Sequence, residues 1–210
     1  MKISAFTILE ILIIFFAIVI VAAVLMPLSM SDASQGQRVA KWHKVFNELE
    51  YSFNLAKAQE GSIFGDNPAS LTSEEYFEKV RPYLDIDILH DYSKEFGKYK
   101  YSYKNKTYVK KSSRYYFSNF FMMNDNVIAS IKKNTENEDG KEMAYAFMFV
   151  DVNGFEKPNR IGADIFFINI FNDRITAYGD GYSMAKLSAG CSKIGKGLFC
   201  SKYYLVGSNL

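Results

Sequence analysis

The chain has 210 residues, with 25 Lys and Arg against 23 Asp and Glu and a formal charge of +2, so overall electrostatics nominate no polyanion as partner for the whole molecule. Its two Cys and two His, Cys191, Cys200, His43 and His90, are not spaced as zinc ligands. No Gly-x-Ser-x-Gly, phosphate loop or His-Glu-x-x-His occurs, and the chain reads as a protein that is not an enzyme. The first element is the run from Phe6 to Met30, which carries one charge, Glu10, and none from Ile11 to Ser31. That length and composition predict a membrane-spanning helix. A carboxylate inside such a run needs a partner, which makes Glu10 a candidate functional residue.

The segment Ala5-Phe6-Thr7-Ile8-Leu9-Glu10-Ile11-Leu12 resembles the cleavage and methylation signal of type IV prepilins and of the pseudopilins of type II secretion. Two positions depart from the usual pattern: Ala5 stands where the family mostly has Gly, and Ile8-Leu9 replaces Leu-Ile. The resemblance implies removal of a leader, residues 1–5, by prepilin peptidase acting between Ala5 and Phe6, followed by N-methylation of Phe6. It implies assembly through Phe6, Glu10 and the helix-kinking Pro27, with Glu10 neutralising the new amine of a neighbouring copy. Burying either charge alone costs several kcal/mol, and pairing offsets much of that. The implied localisation is the inner membrane, single-pass with the head exported, and then a periplasmic or extracellular filament. The implied partners are other pilins, the assembly machinery and the membrane.

Beyond Pro27 an apolar stripe of Val39, Trp42, Val45, Phe46, Leu49, Phe53 and Ala56 recurs at helical spacing, opposite Lys41, Lys44, Glu48 and Ser52. One long helix is therefore expected from about Phe6 to Gln59, with a transmembrane or filament-core part over 6–30 and an amphipathic part over 31–60. Thr72-Ser73-Glu74-Glu75 has the form of a capping box, placing a short helix over Ser73 to Val80 before Pro82, with another turn or two of helix over Leu84 to Tyr92. From Lys98 the period becomes two, and strands are expected at Lys98 to Lys104, Arg114 to Phe121, Asn126 to Lys132, Met143 to Val152, Asp164 to Phe171 and Arg174 to Tyr178. Asn124-Asp125 and Asn172-Asp173 supply hairpin turns, and 134–141 is a polar loop. The expected fold is α+β: a long N-terminal helix packed on an antiparallel head, residues 61–210, pilin-like in the sense of the resemblance.

Three stretches outside the first helix invite chemistry. The span Lys94 to Arg114 holds seven Lys and one Arg against one Glu, interleaved with Tyr. Lys on phosphate with Tyr on bases would bind nucleic acid, but strict alternation puts Lys and Tyr on opposite faces, so nucleic acid is not the expected partner. The stretch Asp151 to Asp164 spaces oxygen-bearing side chains before Gly154, as calcium loops do, making Asp151, Asn153 and Asp164 candidate ligands. It lacks the bidentate Glu of an EF-hand, and Asx turns explain it equally well, so no cofactor is required. Its Asp-x-Asn-Gly…Pro-Asn…Gly-x-Asp pattern is similar to a loop of pilin-like domains, implying a structural role. Cys191 and Cys200, in an exported chain, are expected to form a disulfide worth roughly 2.5 to 3 kcal/mol by loop-closure entropy. It would be similar to the C-terminal disulfide of pilins.

The expected function is a structural subunit of a type IV pilus or related filament. The alternatives are a type II secretion pseudopilin, or a membrane-anchored exported binding domain that does not polymerise.

Overall fold

The computed structural model describes residues 8–135 and 142–207; side chains at 9, 10 and 22–33 fall outside that description. Two compact units emerge, 1–37 and 38–210. Helical backbone, α1, is assigned over Ile8–Glu60.

The expected long helix with a transmembrane half is corrected. With its side chains, α1 is described for no more than about 27 residues in a row, 34–60, and among the described residues no helix is long and apolar enough to cross a membrane. The physical reason is composition. The stretch over 34–60 alternates its apolar stripe with charges such as Lys41, Lys44 and Glu48, so it is too polar to lie in a hydrocarbon core.

The larger unit is built on an antiparallel meander of β1 (Phe121–Met123), β2 (Val127–Lys133), β3 (Ala146–Asp151), β4 (Ile165–Ile170) and β5 (Ile175–Ala177), in that spatial order. Turn chemistry sets the first connection: Asp125 and Asn126 adopt positive φ, which Asx residues tolerate, between Met123 and its partner Val127. Asn172-Asp173 serves between β4 and β5, where Ile170 pairs with Ile175. Strands expected at 126–132, 143–152, 164–171 and 174–178 thus appear, the first shifted by one residue and the others trimmed by a residue or more. The helix α2 (Ser73–Val80) carries the full capping box, Thr72 with Glu75.

Both faces of this sheet are buried. On one face Met148, Val150, Phe166 and Ile168 meet the stripe Val39, Trp42, Val45, Leu49 and Phe53 of α1. Trp42 is wholly buried, stacks on Phe166 at 4.6 Å and donates its indole N–H to the Ser201 carbonyl at 2.9 Å. On the other face Phe147, Phe149, Ile165 and Phe167 pack under Tyr101, Tyr103, Phe117 and Tyr178. The alternation of β3 and β4 therefore delivers large apolar groups to both sides, as strands covered twice require.

That second cover differs from expectation. No strand runs over 98–104 or 114–120, and 84–92 is not helical; α3 occupies Ser93–Lys98 instead. Only Ser102 makes bridges, to Tyr108 and to Arg160. The chain is held by side chains: the Tyr101 hydroxyl donates to the Tyr115 carbonyl and accepts from the Phe117 N–H. Two further helices, α4 (Met184–Gly190) and α5 (Cys200–Gly207), close the head, and the Ser201 hydroxyl of α5 accepts the Phe167 N–H at 2.8 Å.

Trp42→Ala is expected to cost about 3 to 5 kcal/mol in urea denaturation, because it removes a fully buried aromatic and strands a carbonyl. Tyr51→Ala, on the exposed side of α1, should change stability by no more than about 0.5 kcal/mol.

Candidate functional site

Three candidate sites can be placed, at different levels of detail. Ala5 and Phe6 lie outside the described residues, and Glu10 and Pro27 lie on α1 with side chains outside the description. What is described of that region is its neighbourhood: Ile8 and the apolar residues of 11–21, among them Ile14, Phe16 and Val21, are between 46% and 80% exposed. Consecutive helical residues point all round the axis, so among the described side chains 11–21 form an uncovered apolar rod.

The second site is the connection between β3 and β4. Asp151 ends β3 and Asp164 stands one residue before β4, both fully buried. The Tyr99 hydroxyl donates to Asp151 Oδ2, and the Asn153 N–H donates to Asp151 Oδ1 at 3.1 Å. Asp164 accepts the N–H groups of Asn159 at 2.8 Å and Arg160 at 2.6 Å. Asn153 donates through its side-chain amide to the Glu156 and Lys157 carbonyls, and the Asx turn of this loop is the one Asp151 makes by accepting the Asn153 N–H. Each of the four carboxylate oxygens therefore already has a donor from the chain. Among the described residues no group of three His, Cys, Asp or Glu stands together as metal ligands. The third candidate ligand, Asn153 Oδ1, is buried with no hydrogen-bond partner among the described residues.

Burial raises the Asp151 carboxyl well above its ordinary range, and the Asp164 charge pushes it further, against the donors Tyr99, Asn153 and Gly154. Asp164 is pushed up to about 6 by burial, opposed by the Arg160 and Asn159 N–H groups and the Arg38 charge. Arg38 of α1 also donates to the Ala163 carbonyl at 3.3 Å. The Tyr99 hydroxyl is raised by burial and by Asp151. This tyrosine is the site residue that sequence reading misses, because it lies 52 positions from its partner and carries no loop signal.

The third site is the tail. Cys191 and Cys200 are disulfide-bonded. Gly162, at positive φ, presses on it, since a Cβ there would come within 2.6 Å of Cys200 Sγ and 2.7 Å of the Gly197 carbonyl. Lys104 Nζ lies 3.4 Å from Cys200 Sγ and 3.2 Å from the Tyr204 hydroxyl, and burial, with the Lys193 charge, lowers its ammonium to about 8. The β3–β4 loop, the disulfide and Lys104 are thus one packed assembly.

No known family model, curated protein or solved structure matches this chain. Function has to be argued from the residues themselves.

Because the folded state holds Asp164 protonated to higher pH than the unfolded chain does, its contribution to stability is complete below about pH 4 and is lost as pH rises through about 6. The loss is on the order of 3 kcal/mol at most. Urea denaturation between pH 4 and 7 should show this fall in the native chain and a flatter profile in Asp164→Asn; identical slopes would remove the assignment. Calcium at pH 7.5 should leave the melting temperature within about 1 °C, and a rise of several degrees would restore calcium as a ligand.

Proposed function

We propose that this protein is a non-catalytic structural subunit of a type IV pilus or pilus-like filament, assembled through its N-terminal helix. The observation that carries the reading is the apolar rod: Ile8 and residues 11–21 expose large aliphatic and aromatic side chains in every direction. Exposed apolar area costs roughly 25 cal/mol per Å², and a contiguous patch of this extent marks an interaction surface. Equivalent rods of neighbouring copies cover one another by the same residues, so assembly needs no second kind of partner.

Two features support the reading. The prepilin-like segment Ala5 to Leu12 adds a processing site immediately before the rod and a carboxylate, Glu10, to meet the amine that processing at Phe6 creates. The disulfide between Cys191 and Cys200 suits a head exported to an oxidising compartment. The head itself, a sheet buried on both faces, is a rigid body for a filament to display.

The test is the mature protein from its native cells. Its mass and N-terminal sequence should correspond to a chain beginning at N-methylated Phe6, and filaments sheared from the cells should contain it. Glu10→Ala and Phe16→Asp should each reduce filament yield at least tenfold while the head keeps its disulfide and melting temperature. A mature chain that still begins at Met1, or normal filaments from both variants, would overturn the reading.

A further inference from the structure

The surface over the second sheet face holds two adjoining grooves of about 920 and 620 Å³, which share Tyr99, Lys100, Tyr101 and Tyr108. Together they form one trough whose floor is aromatic: Tyr99, Tyr108, Tyr116, Phe120 and Phe155 line it. Tyr108 is 76% exposed, an unusual state for a tyrosine beside an apolar groove. The charged groups are nearly all of one sign. Lys98, Lys100, Lys106, Lys111, Lys157 and Arg160 border the trough, against a single carboxylate, Glu95.

The alternation of Lys and Tyr would separate the two residue types only if 98–104 were a flat strand. It is not: the segment makes bridges at Ser102 alone. Within it Tyr99, Tyr101 and Tyr103 pack toward the second sheet face, and the exposed ring is Tyr108, beyond it, which lines the trough with Lys100 and Lys106. A chain of net charge +2 thereby concentrates positive charge at one aromatic surface.

Asn159 Oδ1 and Arg160 Nε, on residues lining the same trough, are buried with no hydrogen-bond partner. Buried polar atoms in native proteins are nearly always satisfied, and Asp164 fixes the backbone of both residues through their N–H groups. The backbones of both residues are thus held in place beside the trough.

We propose that this trough binds single-stranded nucleic acid, with phosphates on Lys100, Lys157 and Arg160 and unpaired bases stacked on Tyr108 and its aromatic neighbours. A cationic groove tracking a backbone beside aromatic faces is how proteins hold unpaired strands. A duplex hides its base faces and would leave Tyr108 unused. An acidic glycan would want carboxylates and amides to meet its hydroxyls, where the trough offers chiefly ammonium groups. The inference stands apart from filament assembly, since none of these residues lies on the apolar rod.

The test is fluorescence anisotropy with a labelled 20-nucleotide mixed-sequence DNA strand and the full chain in a non-ionic detergent. Binding should weaken with salt, with a slope of log K against log [NaCl] of about −0.7 for each phosphate contacted. Lys100→Gln with Lys157→Gln should lower affinity at least tenfold and make that slope shallower by about 1.4. Tyr108→Ala should lower affinity about tenfold and leave the slope unchanged. Lys186→Gln, on α4 away from the trough, should do neither. All four positions are exposed, and unchanged melting temperatures confirm that the variants fold. No saturable binding at 50 mM NaCl overturns the proposal, as does an equal effect of Lys186→Gln, wild-type affinity in Tyr108→Ala, or equal affinity for a blunt duplex. Binding of a polyuronate with no binding of the strand overturns it too, and assigns the trough to an acidic glycan.

Discussion

The head depends on where Trp42 sits. Its ring lies flat on Phe166 of β4 while its N–H reaches the carbonyl of Ser201, so one side chain joins a helix, the sheet and the C-terminal element. The Ser201 hydroxyl meets Phe167, the next residue of the same strand, and the two bonds from Ser201 therefore fasten both ends of the contact. Few positions could replace it: a smaller aromatic would lose the donor and an aliphatic residue the stacking face. Phe46 adds an edge-on ring at 5.5 Å, and the stripe from Val39 to Ala56 follows from this anchoring.

With α1 committed to one face, the other face of the sheet has to be covered by what remains between α3 and β1. That stretch forms no regular ladder and relies on rings and hydroxyls. Tyr115 and Tyr178 hydroxyls meet at 2.7 Å, and Phe117 stacks on Phe167 at 5.7 Å. A cover made of side chains follows the sheet less evenly than a packed helix does, and grooves remain at its edge. The trough is the by-product of that mode of covering, and its cations are the residues that an irregular segment leaves in water.

Much of the head is legible in the sequence because local chemistry decides it. The capping box at Thr72 and Glu75, the hairpin turns at Asn124-Asp125 and Asn172-Asp173, and the period-two runs around them each place an element through neighbours a few residues apart. The apolar stripe of α1 and the disulfide are legible for the same reason. What escapes reading is what depends on distant partners. Lys98 to Lys104 alternates as a strand should, yet its backbone hydrogen bonds are scattered over Phe96, Thr107, Asn159, Ile161 and Lys196, and no local signal tells of it. The helices α4 and α5 lie in a Gly-rich tail whose short elements show no clear period. In the β3–β4 loop both carboxylates are legible from spacing, while Tyr99 and Arg38, which set their chemistry, are not. The membrane-spanning half expected of the first helix rests on composition alone, and α1 does not supply it among the described residues.

The connection through Ser201 also orders the head's completion in time. The five strands follow one another as a meander, so their pairings form between near neighbours and can be made as the chain emerges. The Trp42 indole and the Phe167 amide must wait 159 and 34 residues for the acceptors that satisfy them. A chain released before Cys200 would hold a nearly finished sheet with two buried donors left open, a form that quality control can tell from the finished one.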